Sequence, residues 1–489
     1  MKNKLNSSKL FINGEWVEPE LEQYFNNMNP TSRKTFGSIA DATDTDVNDA
    51  ITGASKAQAA WAALPPSTRA DFFYKAAELF KLRQEYFVNT LIQETGSTLG
   101  KARYECSIIP LALCEAAALT TRPNGEMLPS NVPGKVNTII RQPLGVVGAI
   151  SPWNFPLYLS LRSFIYAIAL GNTAVLKPSE DSPLTGGLMI AELLQDAGFP
   201  KGVLNVITCS RDNVKTLADQ MIKDPRIDCI SFTGSTAVGR QISVACAQRF
   251  KRVMLEMGGK NPIIILADAD LDYAVNVAFF GAFLHQGQIC MSADKIIVPR
   301  SLYALFVEKF TSKVRNFSPM DPHNEYAVIG PIINDRQLKR IHHLVSEAKK
   351  DGAVIQTGGN IEGSFYQPTV ITDITPDMEI YRDEIFGPVA LIIPVDSEEE
   401  AINIANDTPY GLTAAIVSAD THYASIMALK LDSGMVHIND STVHDEPHCP
   451  FGGMKDSGGV GKWGGTGAIE AFTEQRWIST QQVKRAYPF

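Results

Sequence analysis

The sequence predicts an α/β protein of two domains, each a mainly parallel sheet covered by helices on both faces, with extended arms at its periphery. Three observations carry this prediction. Short β-branched runs alternate with helix-length segments from Pro143 onward; the alternation restarts after the pair Gly258–Gly259; and two extended runs lie outside it. At 489 residues the chain is too long for one ordinary hydrophobic core. Its composition, 45% hydrophobic and 20% charged, is globular, and a net charge of -9 argues against nucleic acid as a partner.

In the first domain the strands read as "LGVVGAI", "NTAVLKP", "VLNVITC" and "IDCISFTG". Between them lie "LYLSLRSFIYAIAL", "SPLTGGLMIAELLQDAG" and "DNVKTLADQMIKD", long and apolar or amphipathic enough for helices. "RVMLEMGGK" is a strand ending in two glycines, where the chain can turn sharply or approach a ligand closely. The second domain continues with "NPIIILAD", a helix through Phe279 to Leu284, "DKIIVP" and the helix "LYALFVEKFTSKVRN". Ahead of both domains, "ADFFYKAAELFKLRQEYFVNTLIQETG" is helical and "TRPNGEMLPSNVPGKVNTIIRQP" reads as a loop plus an extended arm. The C-terminal "FTEQRWISTQQVKRAYPF" is a second arm. Such arms serve either as surface hairpins or as strands added between subunits.

No apolar stretch is long enough to span a bilayer; "SFIYAIALGNTAVL" is broken by Gly171, Asn172 and Thr173. The opening residues contain no continuous apolar run of the kind a secretory signal needs, so the expected location is the cytoplasm and no membrane partner is expected. Seven scattered cysteines form neither a disulfide framework nor a C-x-x-C metal pair. "VHDEPHC", His444 to Cys449, clusters possible ligands, but its spacing fits no standard metal pattern and no metal is expected.

Several residues at predicted strand ends carry chemistry. Gly234 and Ser235 in "FTGSTAVGR" precede a helix whose N-terminal amides can seat a phosphate, although the motif is neither a P-loop nor G-x-G-x-x-G. Lys177 and Glu180 in "VLKPSE" end the neighbouring strand, where an acidic residue holds a ribose hydroxyl in dinucleotide folds; a solvated surface pair is the other reading. Asn154 sits between Trp153 and Phe155 with a proline on either side, as an oxyanion donor or as a residue bracing a turn. Cys290 in "FLHQGQICMSADK" is either inert packing or a nucleophile, for which Asn154 offers the oxyanion donor and Glu256 the base.

The blocks "SPWNFP", "KPSE", "FTGSTAVGR", "LEMGGKNP", "GQICMS", "EIFGPV" and "PFGGMKDSG" follow one another in an order that closely resembles the NAD(P)-dependent aldehyde dehydrogenase superfamily. The likeness covers nearly the whole chain. It implies a Rossmann-like cofactor domain over 1–121 and 144–258, a second α/β catalytic domain over 259–460, and β oligomerisation arms over 122–143 and 461–489. It implies Cys290 as nucleophile, Glu256 as general base, and the Asn154 amide with the Cys290 backbone N–H as oxyanion hole. Trp153, Lys177, Glu180, Gly234 and Ser235 fall on cofactor-contacting positions, and Glu384 and Phe386 on those that hold the nicotinamide riboside. Met257 departs from the commoner leucine, a volume-conserving change.

The resemblance further implies NAD as cofactor with NADP as the alternative, a small-molecule aldehyde as substrate, and a homodimer or homotetramer. On this reading the helix ahead of Cys290 stops at Gly287. "SPWNFPLYLSLRS", "GQICMSADK" and "HINDSTVHDEPHCPFGG" are more similar to the benzaldehyde, vanillin and salicylaldehyde dehydrogenases than to betaine-aldehyde or semialdehyde members. Phe155, Tyr158, Phe283 and Met291 are the expected walls of a slot for a flat ring. A Cys-His acyltransferase or hydrolase is the rival within enzymes, with His285 the histidine nearest to Cys290 in sequence.

Overall fold

A computed structural model describes residues 9–122, 125–459 and 461–489. Two seven-stranded sheets form its centre. In the first, Val146–Ile150 lies between Ile227–Thr233 and Thr173–Lys177; Arg252–Glu256 extends one side and Leu204–Val206 the other, all parallel. Strands this rich in Val and Ile and buried on both faces suit a covered parallel sheet. The chain runs outward from Val146–Ile150 through two strands, then returns to the opposite side at Ile227–Thr233. The carboxyl ends of these two neighbours therefore form a topological switch point, where ligands bind in open α/β sheets.

An N-terminal hairpin of Leu10–Ile12 and Glu15–Val17 completes this sheet by antiparallel pairing of Phe11 with Val206. The helix Asp44–Ala62 begins at a capping box between Thr43 and Asp46, and Pro66–Thr95 and Leu99–Leu119 pack against each other beside the sheet. The helix Pro156–Ala169 starts with proline at its first position and is buried on every side. Its one charged side chain, Arg162, is thus placed in the core.

The second sheet is centred on Asn261–Ile265, with Ala293–Pro299, Val389–Val395 and Thr369–Thr372 on one side and Thr413–Val417 and Met435–Ile438 on the other, all parallel. Val354–Thr357 closes one edge antiparallel. Four residues, Met257 to Lys260, carry the chain from the end of the first sheet to the start of the second.

A third sheet joins Gly125–Leu128, Lys135–Pro143 and Thr473–Gln481, so the two expected arms pair with each other, in register from Thr473 opposite Pro143 to Gln481 opposite Lys135. Within 461–489 the structure also has a helix, Gly465–Phe472, whose Ala468 and Phe472 are buried and which packs on Pro156–Ala169. Among the described residues no helix is long and apolar enough to cross a membrane.

The helix before Cys290 ends earlier than its apolar pattern suggests. Leu271–Phe283 is α-helical, and His285, Gln286 and Gly287 then take left-handed φ values of 51°, 55° and 67° in succession. Polar anchors hold this turn: Gln286 donates to the Pro331 carbonyl at 3.0 Å, and Gln288 accepts from the Ile333 N–H at 3.1 Å. A Cβ at Gly287 would lie 2.0 Å from the Gly387 carbonyl oxygen. Gly287→Ala therefore combines a disfavoured φ with a backbone clash, and should lower stability by roughly 2–4 kcal/mol. Chemical denaturation with an unchanged m-value is the check; a loss below about 0.5 kcal/mol would contradict the turn described here.

Candidate active site

The carboxyl ends of the first sheet deliver most of the candidate residues to one cleft. Trp153 and Asn154 follow Val146–Ile150, Gly234 and Ser235 follow Ile227–Thr233, and Glu256 ends its own strand. The second domain adds Cys290, Glu384 and Phe386. All eight line a cavity of about 990 Å³, open mouth included. Lys177 and Glu180 lie outside its walls, at the end of the adjacent strand Thr173–Lys177.

The cleft suits a dinucleotide on this chain's own geometry. The helix Thr236–Ala247 has Ser235 at its N-cap with no side-chain hydrogen bond capping it, so its first amides remain available to an anion. A Cβ at Gly234 would come within 2.6 Å of the Phe232 ring, so close backbone approach there requires glycine. Phe386, at a φ of 56°, meets Trp153 edge to face with centroids 5.4 Å apart. Glu384 accepts the Gly259 N–H at 3.1 Å and lies deep in the cleft, where desolvation pushes its carboxyl up to about 7. Glu180 is half-buried and pairs with Arg211 at 2.9 Å. Burial would raise its pKa, but Lys177 and Arg211 outweigh that and hold it below the ordinary value.

Cys290 and Asn154 also line a second, narrow cavity, about 380 Å³ with its open mouth included. Its walls include Tyr104, Phe155, Tyr158, Met291 and Phe451. Three of the four residues expected to wall a ring-shaped slot are therefore present. Phe283 is not: it is packed in the second domain's core between Phe279 and Phe310, because it lies four residues after Phe279 and so on the same, core-facing side of the helix.

The thiol and the carboxylate are both buried. Burial, then the neighbouring Glu256, push the Cys290 thiol well up, against the pull of Arg162. Glu256 is fully buried, its carboxylate has no side-chain hydrogen-bond partner among the described residues, and desolvation raises its pKa to about 8. The Cys290 loop is held from behind by Asn261, which donates to the carbonyls of Cys290 and Ser292 at 2.8 Å each. His285 stands apart from this chemistry: it packs edge-on against Phe155 at 5.8 Å, and burial holds it well below its ordinary pKa.

Two charged residues at the narrow cavity were not singled out as site residues from the sequence. Arg162 and Asp445 form an ion pair at 2.8 Å with side chains only 2% and 6% exposed. The guanidinium lies 3.9 Å from the Phe451 ring centroid, and its Nη2 is buried without a partner among the described residues. A lone arginine in "LYLSLRSFIYAIAL" is the signal that could have found it. Just beyond Asp445 in the chain, side-chain donor atoms of Glu446, His448 and Cys449 come within 4.8 Å of one another, all three residues exposed.

Comparison with known proteins agrees with this geometry. The model of the aldehyde dehydrogenase family matches residues 16–478. The chain is 44% identical to a vanillin dehydrogenase of Corynebacterium glutamicum, covering 98% of each chain. It is 43% identical to an NAD(+) benzaldehyde dehydrogenase of Pseudomonas putida, covering 98% of this chain and 97% of that one. The crystal structure of a salicylaldehyde dehydrogenase from Pseudomonas putida G7, complexed with salicylaldehyde, superposes with a TM-score of 0.96 at 36% identity, over 99% of this chain and 100% of the other. A thiol and an amide shared by an open cleft and a narrow aromatic cavity, within a match that spans nearly all of both chains, place the protein: it belongs to the aldehyde dehydrogenase family and is an NAD(P)-dependent oxidoreductase.

Proposed function

We propose that this enzyme oxidises aromatic aldehydes of the benzaldehyde and vanillin type to carboxylic acids, with NAD as the preferred cofactor. The observation that carries the reading is the pair of cavities that share Cys290 and Asn154, one an open cleft with polar and apolar residues in its walls and one walled by aromatic side chains. A ring in the narrow cavity gains from apolar burial and edge contact with Phe155, Tyr158 and Phe451. The Arg162 Nη2 hydrogen is a donor there for an oxygen substituent on the ring. The names of the related vanillin and benzaldehyde dehydrogenases support the same substrate class.

In this reading the Cys290 thiol gives up its proton to water in the open cleft, the resulting thiolate attacks the aldehyde carbon, and the Asn154 carboxamide with the Cys290 N–H stabilises the oxyanion of the thiohemiacetal. The nicotinamide, when bound, supplies the hydride acceptor that takes this carbon to the thioester level. Glu256 then removes a proton from the water that hydrolyses the thioester, and the Cys290 thiolate leaves. Trp153, Gly234 and Ser235 line the cofactor cleft, Glu384 and Phe386 fix the nicotinamide riboside, and Lys177 with Glu180 takes the adenosine ribose.

We assign residues 1–121 and 144–258 to the cofactor domain and 259–460 to the catalytic domain. The arms, 122–143 and 461–489, then serve a homodimer or homotetramer. Exposed Met127 and Trp477 on the third sheet support that assignment.

Three measurements test this reading. In a steady-state panel, benzaldehyde and its hydroxy and methoxy derivatives should exceed acetaldehyde, betaine aldehyde and succinate semialdehyde in kcat/KM by about tenfold or more. An aliphatic or charged aldehyde that clearly outperformed every benzaldehyde would overturn the substrate while leaving the oxidation chemistry intact.

Cys290→Ala should lose at least about 10³-fold in NADH formation. Glu256→Gln should retain a single-turnover burst but turn over about 10²-fold more slowly. Because Glu256 must be ionised to act as base and its pKa is about 8, hydrolysis should rise about fivefold from pH 7 to pH 8 in the native enzyme and stay flat in Glu256→Gln. Wild-type turnover in Cys290→Ala would rule out the mechanism.

Glu180→Gln should shift the NAD to NADP ratio of kcat/KM toward NADP by about tenfold, since a carboxylate repels the 2′-phosphate while Arg211 beside it attracts one. An unchanged ratio would remove Glu180 from the cofactor site.

A further inference from the structure

Two residues that take no part in the chemistry above are buried against it. Lys101 and Glu105 lie one turn apart on the helix Leu99–Leu119, both with fully buried side chains, and pair at 2.6 Å. The Lys101 ammonium has three acceptors for its three hydrogens: Ser97 Oγ at 3.1 Å, Glu105 Oε2 at 2.6 Å and the backbone carbonyl of Asn154 at 2.8 Å. It also lies 4.1 Å from the Phe155 ring centroid. The other Glu105 oxygen, Oε1, accepts the Tyr158 N–H at 3.1 Å.

That last bond falls at a position the local sequence leaves uncapped. The helix Pro156–Ala169 begins at Phe155, which offers no side-chain cap, and Pro156 has no N–H. Glu105 supplies the missing acceptor from another helix. One ion pair therefore grips the Asn154 to Tyr158 segment at both ends, with its ammonium on the carbonyl before the helix and its carboxylate on an amide in the first turn. Between these grips lie the amide donor of the oxyanion site and two aromatic walls of the narrow cavity.

A buried pair of this kind is an uneconomical source of stability, because desolving both charges offsets most of their attraction and a packed apolar pair would serve as well. Burial pulls the Lys101 pKa down, and Glu105 opposes the pull. What an apolar pair could not do is hold a carbonyl and an amide four residues apart in fixed orientations.

We propose that Lys101 and Glu105 are positioning residues that clamp the Asn154 segment, so that the Asn154 carboxamide is set against the oxyanion before substrate arrives. The inference rests on the reading of Asn154 as oxyanion donor. Preorganised donors are the groups for which small displacements matter most, since their benefit comes from needing no reorganisation during reaction.

The test is a double-mutant cycle read by acylation of Cys290 with 4-nitrophenyl acetate, which needs no cofactor. Asn154→Ala should slow the release of 4-nitrophenolate about 100-fold, and Lys101→Met about 10- to 30-fold. The double variant should fall within about twofold of Asn154→Ala alone, because the clamp acts only through the donor it holds. NAD affinity, followed by protein fluorescence, should change less than about twofold in Lys101→Met; a generally loosened fold would weaken it.

Glu105→Gln, isosteric and still able to accept the Tyr158 N–H, should show a smaller loss of about three- to tenfold with the same lack of additivity, and it carries the cycle if Lys101→Met fails to fold. Multiplying effects of Lys101→Met and Asn154→Ala, or a wild-type rate in Lys101→Met, would overturn the clamp and leave the donor standing. A wild-type rate in Asn154→Ala would remove the donor itself, and the clamp with it.

Discussion

The passage from Glu256 to Asn261 is the constraint on which the site depends. It is the one point where the chain leaves the first sheet and enters the second, and hydrogen bonds secure it along its length. Met257 N–H donates to the Ser457 carbonyl at 2.9 Å, the Ser457 hydroxyl donates to the Gly258 carbonyl at 2.6 Å, and Lys260 reaches the Asp383 carbonyl at 2.7 Å. A Cβ at Gly258 would stand 2.5 Å from a Glu384 oxygen, and one at Gly259 would stand 2.7 Å from the Cys290 carbonyl. Two glycines let both loops approach the backbone at once. Glu256 and Asn261, the residue that anchors the Cys290 loop, are thereby held five positions apart on the same short connector.

The electrostatics follow from how deeply this junction is buried. Glu256 and Glu384 have raised pKa values and the Cys290 thiol is pushed up, all chiefly by desolvation, so burial disfavours the charged form of each of these acids. Arg162 is a buried cation at the narrow cavity, and its charge is balanced by Asp445. A neutral aldehyde can enter such a site without bringing an unpaired charge into it, whereas an ionic substrate would have to break the existing pair or remain uncompensated.

Much of this was legible in the sequence because it is local. β-branched runs flanked by glycine and proline mark the parallel strands of both sheets, and the residues proposed for the cofactor sit a few positions beyond them. What escaped depends on distant partners. The hairpin Leu10–Val17 joins the first sheet only through Val206, far along the chain. Arg162 and Asp445 meet across 283 positions, and Glu105 finds its amide 53 positions away. The end of the helix at Phe283 was hidden for a different reason: an apolar pattern continues through Leu284, and consecutive left-handed residues at His285 and Gln286 are favoured by tertiary anchors rather than by propensity.

The order in which these contacts become available bears on how the chain matures. The helix Pro156–Ala169 is enclosed on all sides, yet several of its neighbours, among them Phe451, Trp463 and the helix Gly465–Phe472, come from the last tenth of the sequence. The strand Lys135–Pro143 waits equally long for Thr473–Gln481. In synthesis from the N-terminus the strands of the first sheet are therefore made before one face of this apolar helix and one edge of a nine-residue strand are covered, and an open strand edge of that kind can pair with another chain.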